Sequence, residues 1–195
     1  VAIDQGLPAG SDRYAHMAIH AYPANLIQAF KLADGRSVRV RPVRPEDAAL
    51  VQAFFDGLSR EARYYRFMEE IDELSPTMVA RFTQIDYDRE MALLAIIAEG
   101  GIDKVIGSAR YALAPDGESV EFALAVADEW QRYGIGRRLM GALIDCARGK
   151  GWRSMEGDVL ASNAKMLRMM QALAFKILPH PEQSTLKHVV KRLRG

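Results

Sequence analysis

Residues 119–146 constrain this chain most. They run SVEFALAV, ADEW, QRYGIG and RRLMGALIDC, and read as a strand, a turn, a glycine-bearing loop and an amphipathic helix. Amides at the start of a helix lack intrahelical partners, and the helix dipole adds partial positive charge there. A phosphate is the natural guest of such an end. Gly134 and Gly136 remove side chains where a ligand must approach the backbone, and Arg132, Arg137 and Arg138 bring positive charge. Leu139, Met140, Leu143, Ile144 and Ala147 then recur at helical spacing until Gly149 and Gly151 end the helix.

Around this join the chain supplies strands and helices in mixed order. Residues 91–98 (MALLAIIA) form a continuous apolar run of strand length, residues 105–113 follow as a hairpin partner, and residues 120–126 complete a meander after the turn at 114–117. Upstream, residues 37–44 read as a first core strand entered through the hairpin turn Ala33, Asp34, Gly35. Residues 1–12 read as linker, and residues 13–22 as a strand ending at Pro23, followed by a short apolar stretch at Leu26, Ile27 and Phe30. Three helices precede the meander. Pro45, Glu46 and Asp47 open the first, Ser59 caps REARYYRF, and Ser75 with Pro76 starts TMVARFTQI. After the long helix come a strand over 152–160, a helix over 163–173 capped by Ser162, and short strands over 175–178 and 185–193. This order predicts an α/β (α+β) fold.

Several function classes drop out. With a net charge of +1 and basic residues spread along the chain, nucleic acid is not an expected partner. The single cysteine, Cys146, rules out an internal disulfide framework, sits on an apolar helix face and reads as a core thiol rather than a nucleophile. No apolar run reaches membrane length, so a soluble cytoplasmic protein without a membrane partner is expected. The chain begins at Val1, as a piece of a longer multidomain protein would. A dinucleotide fingerprint needs a third glycine where Leu139 stands, and no phosphate-binding GK followed by Ser or Thr occurs. His16, His20, His180 and His188 are scattered without a Cys or His at ligand spacing, so no metal is expected.

The loop QRYGIG, residues 131–136, fits the Q/R-x-x-G-x-G/A signature of the GNAT superfamily of acetyl-CoA-dependent N-acyltransferases, and it falls between a strand and a helix. The resemblance covers residues 36–193. More narrowly, VRVRPVRPEDAALVQAFFDGLSREARYYRF, DYDREMALLA and VEFALAVADEWQRYGIG resemble the GNAT domain of bacterial Pat-type protein lysine acetyltransferases. In one branch of that group the domain follows a region similar to acyl-CoA synthetases with an ATP-grasp part, and RYAHMAIHAYPANL resembles the tail of that region. The implied division is an extension or linker over 1–35 and a GNAT domain over 36–195. The implied fold is a mixed, mostly antiparallel sheet of six to seven strands flanked by helices, splayed between the fourth strand (residues 120–126) and the fifth (residues 152–160).

The resemblance also implies roles. Leu124, Ala125 and Val126 would hydrogen-bond the pantetheine arm of acetyl-CoA as a short added strand would. Gln131, Arg132, Tyr133, Gly134, Ile135, Gly136 and Arg137 would hold the pyrophosphate, and Asn163 would reach the arm. A lysine ammonium, with a pKa of about 10.4, must lose a proton before its nitrogen attacks a thioester. Glu121 interrupts an otherwise apolar strand, shares a face with the small Ala123 and Ala125, and matches the general base of Pat-type enzymes. Partial burial would raise its pKa toward neutrality. The Val126 amide would polarise the thioester carbonyl. Many GNAT enzymes protonate the leaving thiolate with a late tyrosine, yet no tyrosine follows Tyr133; water or Ser162 could serve, or the thiolate could leave unassisted. The expected activity is direct acetyl transfer to protein lysines, such as those of acyl-CoA synthetases. Acetylation of a small amine or amino acid, and a non-catalytic acyl-CoA sensor, are the alternatives. The oligomeric state is not legible. The acids Glu69, Glu70, Asp72, Glu73, Asp86 and Asp88 read as a solvated rim that could steer a lysine-bearing partner.

Overall fold

An unbroken apolar strand has to be covered on both faces, and residues 91–97 are all buried in the centre of the sheet. The computed structural model describes residues 21–194. Among them, eight strands form one open sheet: β1 (Gln28–Lys31), β2 (Ser37–Pro42), β3 (Glu90–Glu99), β4 (Ile102–Leu113), β5 (Ser119–Val126), β6 (Ser154–Leu160), β7 (Lys176–Pro179) and β8 (Leu186–Arg192), ordered β1-β2-β3-β4-β5-β6-β8-β7. Neighbouring strands are antiparallel except β5 and β6. Five α-helices flank the sheet: α1 (Ala48–Asp56), α2 (Arg60–Phe67), α3 (Pro76–Thr83), α4 (Ile135–Gly149) and α5 (Ala164–Ala172). The mixed, mostly antiparallel architecture is the one expected from sequence, with one strand more than the upper count.

That strand is β1. The turn at 33–35 does form a hairpin, and the short stretch around Phe30 pairs across it, Phe30 opposite Val38. Residues 28–31, read from sequence as part of the extension, thus belong to the sheet. The strand expected over 13–22 lies outside the described residues apart from Ala21 and Tyr22, which are in no strand.

Two apolar layers sandwich the sheet. On one face Met91, Leu93 and Ala95 of β3 meet Leu139, Met140 and Leu143 of α4. On the other, Ala92, Leu94 and Ile96 meet Val51 and Phe55 of α1, with Met78 and Phe82 of α3 packed alongside. The helical spacing read from sequence is the buried stripe of α4, where Leu139, Met140, Leu143 and Ala147 are fully buried. Each such leucine contributes roughly 1.5–3 kcal/mol. Ser59 and Ser75 cap α2 and α3 as expected, accepting from the amides of Ala62 and Met78 at 3.2 Å each. Among the described residues no helix is long and apolar enough to cross a membrane.

Candidate active site

The parallel ladder of β5 and β6 is short. Ser119, Val120 and Glu121 pair with Ser154, Met155 and Glu156, and beyond Glu121 the strands part. This is the splay expected between these two strands. Phe122 sets the parting: its ring lies over Gly157 of β6, where a Cβ would come within 3.0 Å, and meets Phe175 edge-on at 5.5 Å. Only glycine leaves room for that ring.

The direction of the β5 backbone follows from two hydrogen bonds. The Ala127 amide donates to the Ile106 carbonyl at 3.0 Å, and the Ala114 amide donates to the Ser119 carbonyl at 2.9 Å. Odd-numbered residues of β5 therefore turn their backbone groups toward β4, and even-numbered ones turn theirs toward the gap. Leu124 and Val126 face the gap. Ala125 does not: its backbone is turned toward β4 and its side chain is buried, so it has nothing to offer a strand-like ligand. Side chains alternate the other way, placing Glu121 and Ala123 on the sheet face beneath α2.

After β5 a single 3-10 turn, Asp128–Trp130, leads into the loop. Asp128 ties it to α2 by accepting from the Ser59 amide at 3.0 Å and the Ser59 hydroxyl at 2.8 Å. The Gln131 side chain donates to the Val126 carbonyl at 3.4 Å and accepts from Lys165 at 3.3 Å, so it braces the loop rather than standing free. Arg132 and Gly134 both lie at φ +76°. For glycine this is ordinary; for Arg132 it costs on the order of 1 kcal/mol, a strain held by the surrounding loop. Alternation of left-handed and ordinary residues curls amides inward into an anion-binding concavity. The first intrahelical bond of α4 runs from the Arg138 amide to the Gly134 carbonyl, so the amides of Ile135, Gly136 and Arg137 precede the ladder and have no partner in it.

The side chains of this loop divide. Ile135 is buried in the core, so it can contribute only its amide. Tyr133 packs on Trp130 with ring centroids 5.7 Å apart, and Arg36 of the β1–β2 hairpin stacks over both rings. The Arg138 guanidinium stacks 4.2 Å from the Phe30 ring, turned to the hairpin instead of the loop. Arg132 and Arg137 remain exposed at the helix start. Asn163, not Ser162, caps α5: its Oδ1 accepts from the Met166 amide at 3.0 Å, which leaves its amide nitrogen for another partner. A carbonyl oxygen one residue later satisfies the first turn of α5, so the serine hydroxyl has no cap to fill.

A model of the acetyltransferase (GNAT) family matches residues 52–175. An acetyltransferase of Pseudomonas aeruginosa is 38% identical over 162 residues, 83% of this chain and 86% of that protein. The chain belongs to the GNAT family of acetyltransferases. Acetyltransferase Pat of Mycolicibacterium smegmatis is 30% identical over 138 residues, 69% of this chain and 40% of Pat, so the match spans less than half of that longer protein. Among solved structures, the GNAT domain of S. lividans PAT is similar with a TM-score of 0.79 and 27% identity, covering 88% of this chain and 99% of that one. An acetyltransferase of Salmonella typhimurium solved with its cofactor acetyl-CoA has the same fold, with a TM-score of 0.65 and 21% identity over 81% of this chain and 95% of that one.

In this GNAT acetyltransferase the gap opens into a cleft of about 310 Å³ lined by Glu121, Ala123, Glu156, Asp158, Asn163 and His188, with Tyr65 and Arg66 of α2 on its helix side. Glu121 is exposed, not half-buried as its place on an apolar strand suggests, because the partner strand leaves it there. Its carboxylate has no hydrogen-bond or ion-pair partner among the described residues.

Sequence reading missed the opposite wall. His188 sits between two carboxylates, 2.9 Å from Asp158 and 3.1 Å from Glu156, and His180 lies 3.5 Å from the other Asp158 oxygen. His180 and His188 meet at Asp158 because β8 pairs with β6 in the register His188 opposite Asp158, whereas His16 and His20 lie outside the described residues. Only that pairing reveals them. They do not converge as ligands: no group of three or more His, Cys, Asp or Glu among the described residues could hold a metal ion. Tyr65 supplies the cleft with a phenol from far upstream, hydrogen-bonded to Glu61 at 3.1 Å, and that bond together with burial raises its pKa. Cys146 is half-buried, and desolvation pushes its thiol up to about 11, as suits an inert core thiol.

Proposed function

We propose that this domain transfers the acetyl group of acetyl-CoA directly to the side-chain amine of a protein lysine, with Glu121 as general base. Glu121 carries the reading. It is an unpartnered carboxylate at the point where the β5–β6 ladder ends, on the same strand that turns Leu124 and Val126 into the gap. Similarity to Pat of M. smegmatis and to the S. lividans PAT domain supports a protein acceptor, with acyl-CoA synthetases the first to test.

The chain's residues fit the coenzyme. Free amides at the start of α4, the curled loop through Arg132 and Gly134, and the exposed Arg132 and Arg137 suit a pyrophosphate. Backbone groups of Leu124 and Val126 suit a pantetheine arm laid against β5, with the amide nitrogen of Asn163 beside it. When bound, acetyl-CoA supplies a thioester. The lysine ammonium gives one proton to Glu121; nitrogen bonds the acetyl carbon, and the carbon–sulfur bond breaks with its electron pair leaving on the thiolate. The second proton, which nitrogen sheds on becoming an amide, balances the protonation of that thiolate. The Val126 amide stabilises the charge that gathers on the carbonyl oxygen. Besides water and Ser162, Tyr65 now stands beside the cleft as a proton source for the thiolate.

Incubation of the chain with acetyl-CoA and a protein panel that includes acyl-CoA synthetases, followed by mass spectrometry, tests the reading. Acetyl-lysine at defined positions is the expected result. Retained acetyl-CoA binding with no acetylation of any amine would overturn it in favour of a sensor.

A further inference from the structure

Arg66 is a cation without an anion. It projects from α2 into the cleft that holds Glu121, and its guanidinium stacks 4.7 Å from the Phe67 ring and 5.8 Å from the Phe82 ring. No carboxylate or carbonyl among the described residues accepts from it. The other arginines of α2 are satisfied: Arg60 donates to Glu70, and Arg63 to the carbonyls of Leu58, Asp56 and Asp72. Nor does Arg110 help, since it is already paired with Glu90 at 2.6 Å and repels its neighbour. Burial and that repulsion push the Arg66 pKa down to about 10. Five donors are thus kept half-buried, stacked and unmatched, an arrangement that folding alone disfavours.

The surroundings say what would match them. Arg66 lies between the cleft and a hollow of about 50 Å³ whose polar lining is Arg66, Arg110 and Ser108 within an apolar wall. Across the cleft stand Glu121, Glu156 and Asp158. The cleft is therefore negative along its strands and positive under α2. A planar guanidinium suits a carboxylate through paired hydrogen bonds. We propose that Arg66 binds a carboxylate carried by the acceptor, so that the preferred amine has an acidic group beside it. This rests on the reading above only in taking the cleft as the acceptor's seat.

Two pairs of acceptors test it and separate the sources of the carboxylate. One pair is a lysine peptide flanked by glutamate against the same peptide with glutamine; the other is free lysine against its carboxamide. Wild-type kcat/KM is expected to favour the acidic member of at least one pair by roughly tenfold, with Arg66→Gln erasing that preference mainly through KM and Arg66→Lys keeping part of it. Preference within the first pair places the carboxylate on a protein, and within the second on an amino acid. Arg66→Met is expected to melt no lower than wild type, because it removes an unmatched half-buried charge. A structural role would lower the melting temperature instead. Equal use of acidic and neutral acceptors by wild type overturns the proposal. If no acceptor is acetylated the proposed function fails, and calorimetry on the coenzyme A-loaded protein then decides this inference: stronger binding of the glutamate peptide upholds it, and equal affinities overturn it.

Discussion

Arg132, Gly134 and Gly136 show how few residues it takes to shape the concavity that we propose holds a pyrophosphate. Two left-handed positions curl the loop, and the glycines keep side chains off the backbone. Gly134 at φ +76° faces open space, so a side chain there is disfavoured by conformation and not by neighbouring protein. Gly134→Asp adds strain and a negative charge at the concavity. Calorimetry with acetyl-CoA is expected to show no measurable binding to this variant while its melting temperature falls only slightly; unaltered affinity would refute the phosphate cradle. At this scale the loop was legible, because its motif is local and its physics is that of a helix start. Glu156, Asp158 and His188 were not, because each is unremarkable until strand register brings them together. Ala125 was misjudged for a related reason: which way a backbone amide points depends on the partner strand.

Between elements, the root of the splay is held by a turn. The Asp116 carboxylate accepts from the amides of Ser119 and Glu118 at 2.8 and 2.9 Å and from the Ser119 hydroxyl at 2.8 Å. Arg153, just before β6, donates to Asp116 at 2.9 Å and also pairs with Glu118. These contacts join the β4–β5 turn to the entry of β6, where the two parallel strands still pair. The turn's amide bonds hold the Asp116 pKa at about 2, below its ordinary value of 3.8. The stabilisation is present above the unfolded value and is lost as pH falls through the folded one, between about pH 4 and pH 2. Acid titration of the melting temperature is expected to show that Asp116→Asn has a shallower loss than wild type across this window; parallel curves would remove the turn from the account. Elements with strong periodicity were readable in advance, α4 by its 3.6-residue stripe and β3 by its unbroken apolar run. β1 was not, since QAFK is only four residues long and mostly exposed, and it is a strand only because β2 is beside it.

For the molecule as a whole, the proposed function has one sheet serve two ligands from two directions. The gap between β5 and β6, with the helix start beyond it, suits a phosphorylated thioester. The face beneath α2 offers carboxylates on one side and Arg66 on the other. Asp128 and Ser59 couple the two halves, since they tie the loop before α4 to α2, the helix that roofs the cleft. Glu121 stands where both approaches meet, and the account depends on its taking the amine's proton. Glu121→Gln preserves shape and removes the base. Its turnover, measured near neutral pH beside its acetyl-CoA affinity, is the most direct test. The account predicts unchanged affinity with turnover lowered at least about tenfold, and turnover equal to wild type would contradict it.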